Sequence, residues 1–256
     1  MSNPKVFGVI ALKGGVGKTT VVANLGAALA SEFGKRVLIV DANFSTPHLG
    51  LHVGLINPTH TLHPVLSDEY SIYEAIYEHD LGFHIIPGRL APDIVDPFSL
   101  KEKLDLLKDS YDVILIDSSP SLDKEIIATM AASDELLVVS SPDYPTLSST
   151  LHAVNIAKRE NTPIRGIVLN KVRKKRFELG QKDIASASDI DILASFPDNL
   201  KVLAATSKMV PVVEFAPRED ISHMYKKLAG SLVGENYKKR RFSRKKEKGK
   251  EEIPNA

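Results

Sequence analysis

Lys13, Gly14, Gly15, Val16, Gly17, Lys18, Thr19 and Thr20 follow one another without interruption, after an apolar run at residues 6–12 and before a helix-periodic run that starts at Val21. Three glycines in such a turn leave no Cβ in the way, so successive backbone N–H groups can converge on one anion. A helix N-terminus immediately behind them adds partial positive charge. An ammonium group at Lys18 suits β- and γ-phosphate oxygens, and a hydroxyl at Thr19 suits Mg²⁺. The segment therefore reads as a phosphate-binding loop. The usual spacing puts a glycine five residues ahead of Gly17. Leu12 stands there instead, and the added lysine, Lys13, follows it.

Two carboxylates complete this chemistry. Asp41 closes the apolar run at residues 37–40, and Asp117 closes the one at residues 113–116. A carboxylate at the end of a buried strand lies at the sheet edge, where it can order the waters of a metal ion or a nucleophilic water. Asp117 leads into Ser118, Ser119, Pro120 and Ser121. Asn170 and Lys171 are followed by Val172 and Arg173, without the acidic residue that would pair with a guanine amino group. ATP with Mg²⁺ is the expected ligand.

The added lysine ahead of Gly-Gly-Val-Gly-Lys-Thr-Thr resembles the deviant Walker A loop of the MinD/ParA family. The resemblance covers residues 5–234, including the stretches 47–54 and 210–215. It implies an ATPase in which Lys13 crosses a dimer interface to the partner's nucleotide. It also implies that Asn170 grips adenine through its amide, and Pro197 and Asp198 through backbone groups. The family usually reads Asp-x-Asp where this chain has Asp41 and Asn43. Asparagine keeps the shape but cannot accept a proton from water. Lys13, Lys18, Asp41 and Asn43 are thus the expected catalytic set, and Thr19, Asp41 and Asp117 the metal set. The implied function is a MinD-like dimerisation switch that positions cell-division or polar machinery. The alternatives are a ParA-like DNA-associated partition ATPase and a non-hydrolysing ATP-binding scaffold.

To position these groups the chain must supply strands ending at one edge. Short apolar runs occur at residues 6–12, 36–41, 83–86, 113–117, 136–140, 164–170 and 190–196, separated by helix-patterned segments. Runs apolar on both faces indicate a mostly parallel sheet covered on both sides. The expectation is an α/β, doubly wound sheet forming one domain over residues 1–234, with its ligand beyond the strand C-termini. Ser71 with Glu74 and Ser99 with Glu102 have capping-box spacing.

The chain has 256 residues and 43% hydrophobic composition, enough for a large core, and it has no cysteine. Disulfides, thiolate zinc sites and cysteine-held iron–sulfur clusters are excluded. The eight histidines offer no His-x-x-x-His on a predicted helix, so no zinc site is expected. No long apolar run or leader is apparent, so a cytoplasmic location, peripheral to the membrane surface, is expected. Residues 235–256 carry a net charge of +5 against −4 for the remainder. That composition reads as a disordered tail able to contact anionic membrane or DNA electrostatically. The other expected partners are a second copy of the chain, brought in by ATP, and an unidentified regulatory or cargo protein.

Overall fold

The computed structural model describes residues 4–89 and 95–239. Its eight strands are β1 (Lys5–Ile10), β2 (Val37–Ala42), β3 (Tyr77–Glu78), β4 (His84–Ile86), β5 (Val113–Ser118), β6 (Glu135–Ser140), β7 (Ile164–Val172) and β8 (Ile192–Pro197). They form one sheet in the order β3-β4-β2-β5-β1-β6-β7-β8. Every pairing is parallel except that of β3 with β4. All seven expected strands are present, with ends displaced by up to two residues. The eighth, β3, is a two-residue antiparallel edge, too short to leave an alternating pattern.

Helices cover both faces: α1 (Lys18–Phe33), α2 (Leu49–His52), α3 (Leu62–Leu66), α4 (Ser99–Asp105), α5 (Lys124–Ala131), α6 (Tyr144–Arg159), α7 (Gln181–Ser188), α8 (Leu200–Ser207), α9 (Val212–Phe215) and α10 (Asp220–Leu232). One core layer joins α1 and α10 to side chains such as Phe7, Ile39, Leu115 and Val139. On the other face Leu38, Val40, Ile114 and Ile116 pack against Leu62, Leu100 and Leu104. Burying each such aliphatic side chain contributes about 1.5–3 kcal/mol. The central helix α1 sits so close to β2 that a Cβ on Gly26 would lie 2.6 Å from Ile39 Cγ2.

Of the two expected capping boxes, one is present and one needs correction. Ser71 and Glu74 do form a capping box, over a single turn of 3₁₀ helix. Ser99 does not: Phe98 already has helical dihedrals, so Ser99 falls inside α4 rather than at its cap. Asp96 Oδ1 accepts from the Phe98 amide at 3.1 Å instead.

After α10 the chain reverses. Glu235 N donates to Gly230 O at 2.8 Å, Tyr237 hydroxyl and His223 Nδ1 are 2.6 Å apart, and Lys239 reaches Asp220 at 3.1 Å. Residues 235–239 thus retrace α10 toward its first turn. The remainder of the basic tail lies outside the described residues.

Candidate functional site

β1 lies in the middle of the sheet, between β5 and β6, and the turn that leaves it opens α1. Gly17 is the N-cap of α1, with φ of 96°, and no side chain caps the helix. The first-turn amides are therefore available to an anion. A Cβ on Gly17 would collide with the Asn170 amide as well as strain the left-handed backbone.

This turn forms the floor of a cleft of about 440 Å³. Gly14, Gly15, Val16, Gly17, Lys18, Thr19 and Thr20 all line it, as do Asn43, Asn170, Pro197 and Asp198. Eleven of the residues singled out in the sequence thus come together. Leu12, in the place of the usual glycine, packs its side chain against the cluster of Ile10, Ile126 and Met130.

Asp41 and Asp117 lie beneath the cleft rather than on its wall. They are direct neighbours in the β2–β5 register and each is only 1% exposed. Burial, then the Asp117 charge, raises the Asp41 pKa well above the usual aspartate value, against hydrogen bonds from the amides of Leu49 and Asn43 and the charge of Lys18. Those amides lie 2.9 and 3.3 Å from its oxygens. Burial also raises Asp117, opposed by Lys18, the Thr19 hydroxyl, His52 and His48. Lys18 is itself buried, which lowers its pKa, while Asp117 and Asp41 pull the other way. Two acids thus share one lysine.

Neither oxygen of Asp117 has a hydrogen-bond partner of normal geometry. A buried carboxylate left so has an unmet demand for a cation or its waters. The donor set of Thr19 hydroxyl, the Asp117 and Asp41 carboxylates and phosphate oxygens suits hard, water-retaining Mg²⁺. The residues therefore fit that ion.

Three residues depart from the sequence reading. Asn170 does not end its strand: β7 continues to Val172, with a register shift between Leu169 and Val172 and Lys171 at φ 56°. Its Nδ2 donates to Val16 O at 2.8 Å, and Lys171 Nζ donates to Gly15 O at 2.6 Å, so β7 clips the phosphate loop. Asn43 lines the cleft as expected, but its amide is also engaged by the chain. Its Nδ2 donates to Thr46 O at 2.7 Å while its Oδ1 accepts from Thr46 N at 3.3 Å. Lys13 turns away from the cleft, donating to Asp143 Oδ1 at 3.1 Å and Thr146 Oγ1 at 2.8 Å.

Sequence reasoning missed several wall residues. Thr46, His48 and His52 line the phosphate end, and Val202, Leu203 and Thr206 of α8 line the other. The i, i+4 spacing of the two histidines just after Asp41 was the available signal. Residues 171–176 carry five basic side chains, and among them Arg173 is committed to Asp198 at 2.8 Å. Lys171 is bound to the loop as described, so that run is only partly a solvated surface.

Comparison with known proteins agrees with this geometry. Residues 4–164 match the family model described as an AAA domain. An uncharacterized ATP-binding protein of Methanocaldococcus jannaschii is 32% identical over 87% of this chain and 85% of its own length. The chromosome partitioning protein ParA of Caulobacter vibrioides is 31% identical, over 91% of this chain and 95% of its own. Among solved structures, the septum site-determining protein MinD of Pyrococcus horikoshii, complexed with Mg-ADP, superposes with a TM-score of 0.85 at 29% identity. That match covers 90% of this chain and 96% of that one.

Proposed function

Because this chain belongs to the MinD/ParA family of P-loop ATPases, we propose that it is a MinD-like switch that dimerises on ATP and positions cell-division or polar machinery. The observation that carries this reading is the amide-lined turn of residues 14–20 seated above the buried pair Asp41 and Asp117.

The loop amides and Lys18 hold the β- and γ-phosphates. Thr19, Asp117 and Asp41 would hold Mg²⁺. The ion supplies neutralisation of the phosphate charge that builds up as the terminal bond breaks. Asn170, Pro197 and Asp198 grip the base, with Leu203 as an apolar wall. Lys13 exchanges Asp143 for the phosphates of a partner copy, so that two clefts close face to face. Turnover in such a site rests on positioning and electrostatics, and is slow until a regulatory partner binds.

No helix among the described residues is long and apolar enough to cross a membrane. Surface attachment is instead assigned to the basic tail. At about 1 kcal/mol per basic residue near an anionic surface, one tail binds weakly and two act together. A second reading, a DNA-associated partition ATPase, draws on the ParA relative and on Lys174, Lys175 and Arg176 in the exposed turn after β7. ATP-dependent DNA binding that falls steeply with salt would favour it.

The deciding experiment has two stages. Calorimetry with Mg-ATP should give a saturable heat, and size measurement should show a dimer with a nonhydrolysable ATP analogue and a monomer with ADP. A monomer under both conditions would overturn the switch.

A further inference from the structure

Two loops face the phosphate end of the cleft, and Glu125, in the first turn of the helix that follows the β5 loop, reaches across to the β2 loop. Residues 43–46 follow β2, residues 118–121 follow β5, and Asn43, Thr46 and Pro120 line the cleft. Glu125, in the first turn of α5, accepts from the Phe44 amide at 3.2 Å and from the Ser45 hydroxyl at 3.1 Å. The Ser119 hydroxyl favours its charged form from the other loop. Ser119 in turn accepts from the Ser121 amide at 3.1 Å. Glu125 is itself fixed at its backbone, since its amide donates to Asp123 Oδ1, the α5 N-cap, at 3.0 Å.

We propose that Glu125 is a positioning residue for ATP cleavage, clamping the β2 and β5 loops in one arrangement around the terminal phosphate. This rests on the ATPase reading above. Glu125 is not among the residues that line the cleft, so its action passes through Phe44, Ser45 and its own loop. The Phe44 amide and the Ser45 hydroxyl are both donors, which an ionised carboxylate, accepting at either oxygen, holds more firmly than the protonated acid. The arrangement also couples the clamp to pH. Burial, then the neighbouring Asp123 charge, raises the Glu125 pKa, while Ser45, Ser119 and the Phe44 amide hold it back. Protonation removes an acceptor, so the clamp opens on acidification at a pH above that at which an exposed glutamate titrates.

The test uses the full chain with Glu125→Ala, Glu125→Gln and Ser45→Ala, measuring affinity for a nonhydrolysable ATP analogue and single-turnover cleavage of ATP. Glu125→Ala should bind within about threefold of wild type yet cleave about 10- to 100-fold more slowly, as expected when a supporting contact is lost. Glu125→Gln, which like the protonated acid keeps a single carbonyl acceptor, should cleave at the slow rate that wild type shows on acidification and lack the acid limb. Ser45→Ala should slow cleavage alone and add little to Glu125→Ala. Wild-type cleavage by Glu125→Ala, or equal losses of binding and cleavage, would overturn the proposal. If Glu125→Ala does not fold, an unchanged rate in Ser45→Ala with an unchanged pH profile in Glu125→Gln does the same. A wild-type protein that never binds or cleaves ATP refutes the ATPase reading instead.

Discussion

Lys13 and Asp143 form an ion pair 3.1 Å long across 130 residues of sequence, closed on its far side by Thr146. Against its own desolvation, hydrogen bonds from Ser141, Thr146 and Lys13 hold Asp143 well below the usual carboxylate range. Both partners are about 40% exposed, so the pair adds at most about 1 kcal/mol to stability. Its importance is geometric, because it keeps Lys13 off the cleft.

Asp143→Asn keeps the α6 cap, since an amide oxygen can still accept from the Thr146 amide, but removes the charge that retains Lys13. We expect ATP-analogue-dependent dimers at several-fold lower protein concentration, with a melting temperature close to wild type. Unchanged dimerisation in analytical ultracentrifugation would show that the pair does not restrain Lys13. Lys13→Ala should leave nucleotide binding intact and abolish dimers.

Asp41 and Asp117 have folded pKa values raised above their unfolded ones, so their contribution to stability is intact below the unfolded aspartate value and is lost as pH rises toward the folded value. The nucleotide-free protein should therefore be less stable at neutral pH than these two groups would allow if protonated. Mg-nucleotide should stabilise increasingly as pH rises. Asp117→Asn should raise the nucleotide-free stability by about 1 kcal/mol while eliminating the Mg²⁺-dependent part of nucleotide binding. Thermal melts with and without Mg-ADP across that range check both halves.

Gly17→Ala combines a left-handed φ with a clash against Asn170. It should cost about 1–3 kcal/mol and displace the β7 clip from the phosphate loop. Calorimetry should then find Mg-ATP binding lost. Binding at wild-type affinity would mean that the loop relaxes at no cost.

Asn43→Asp exchanges the donor that holds Thr46 for a proton acceptor. Unfolding free energy should fall by about 1 kcal/mol, and single-turnover cleavage should accelerate because a carboxylate can take the proton of water. Slower cleavage would show that the Asn43–Thr46 clasp matters more than basicity.

The phosphate loop and the two acids were legible because each stands at the end of an uninterrupted apolar run, where chain order alone fixes position. The seven parallel strands were legible for the same reason. The partner of Lys13 was not, since the pairing with Asp143 exists only once β1 and β6 lie side by side. Asn43 kept its expected place in the cleft, but its commitment to Thr46 depends on the turn closing. Leu203 carries no chemical signature of its own. It becomes a cleft wall only because α8 starts just after the β8 turn.

The reversal after α10 has a mechanical consequence. Anything drawing on the chain beyond residue 239 loads Asp220 and His223 first. From there the Ser222–Val212 and Val213–Asn24 hydrogen bonds lead on to α1, the helix that opens at the phosphate loop, so the exit of the chain and the floor of the cleft stand on one continuous line of contacts.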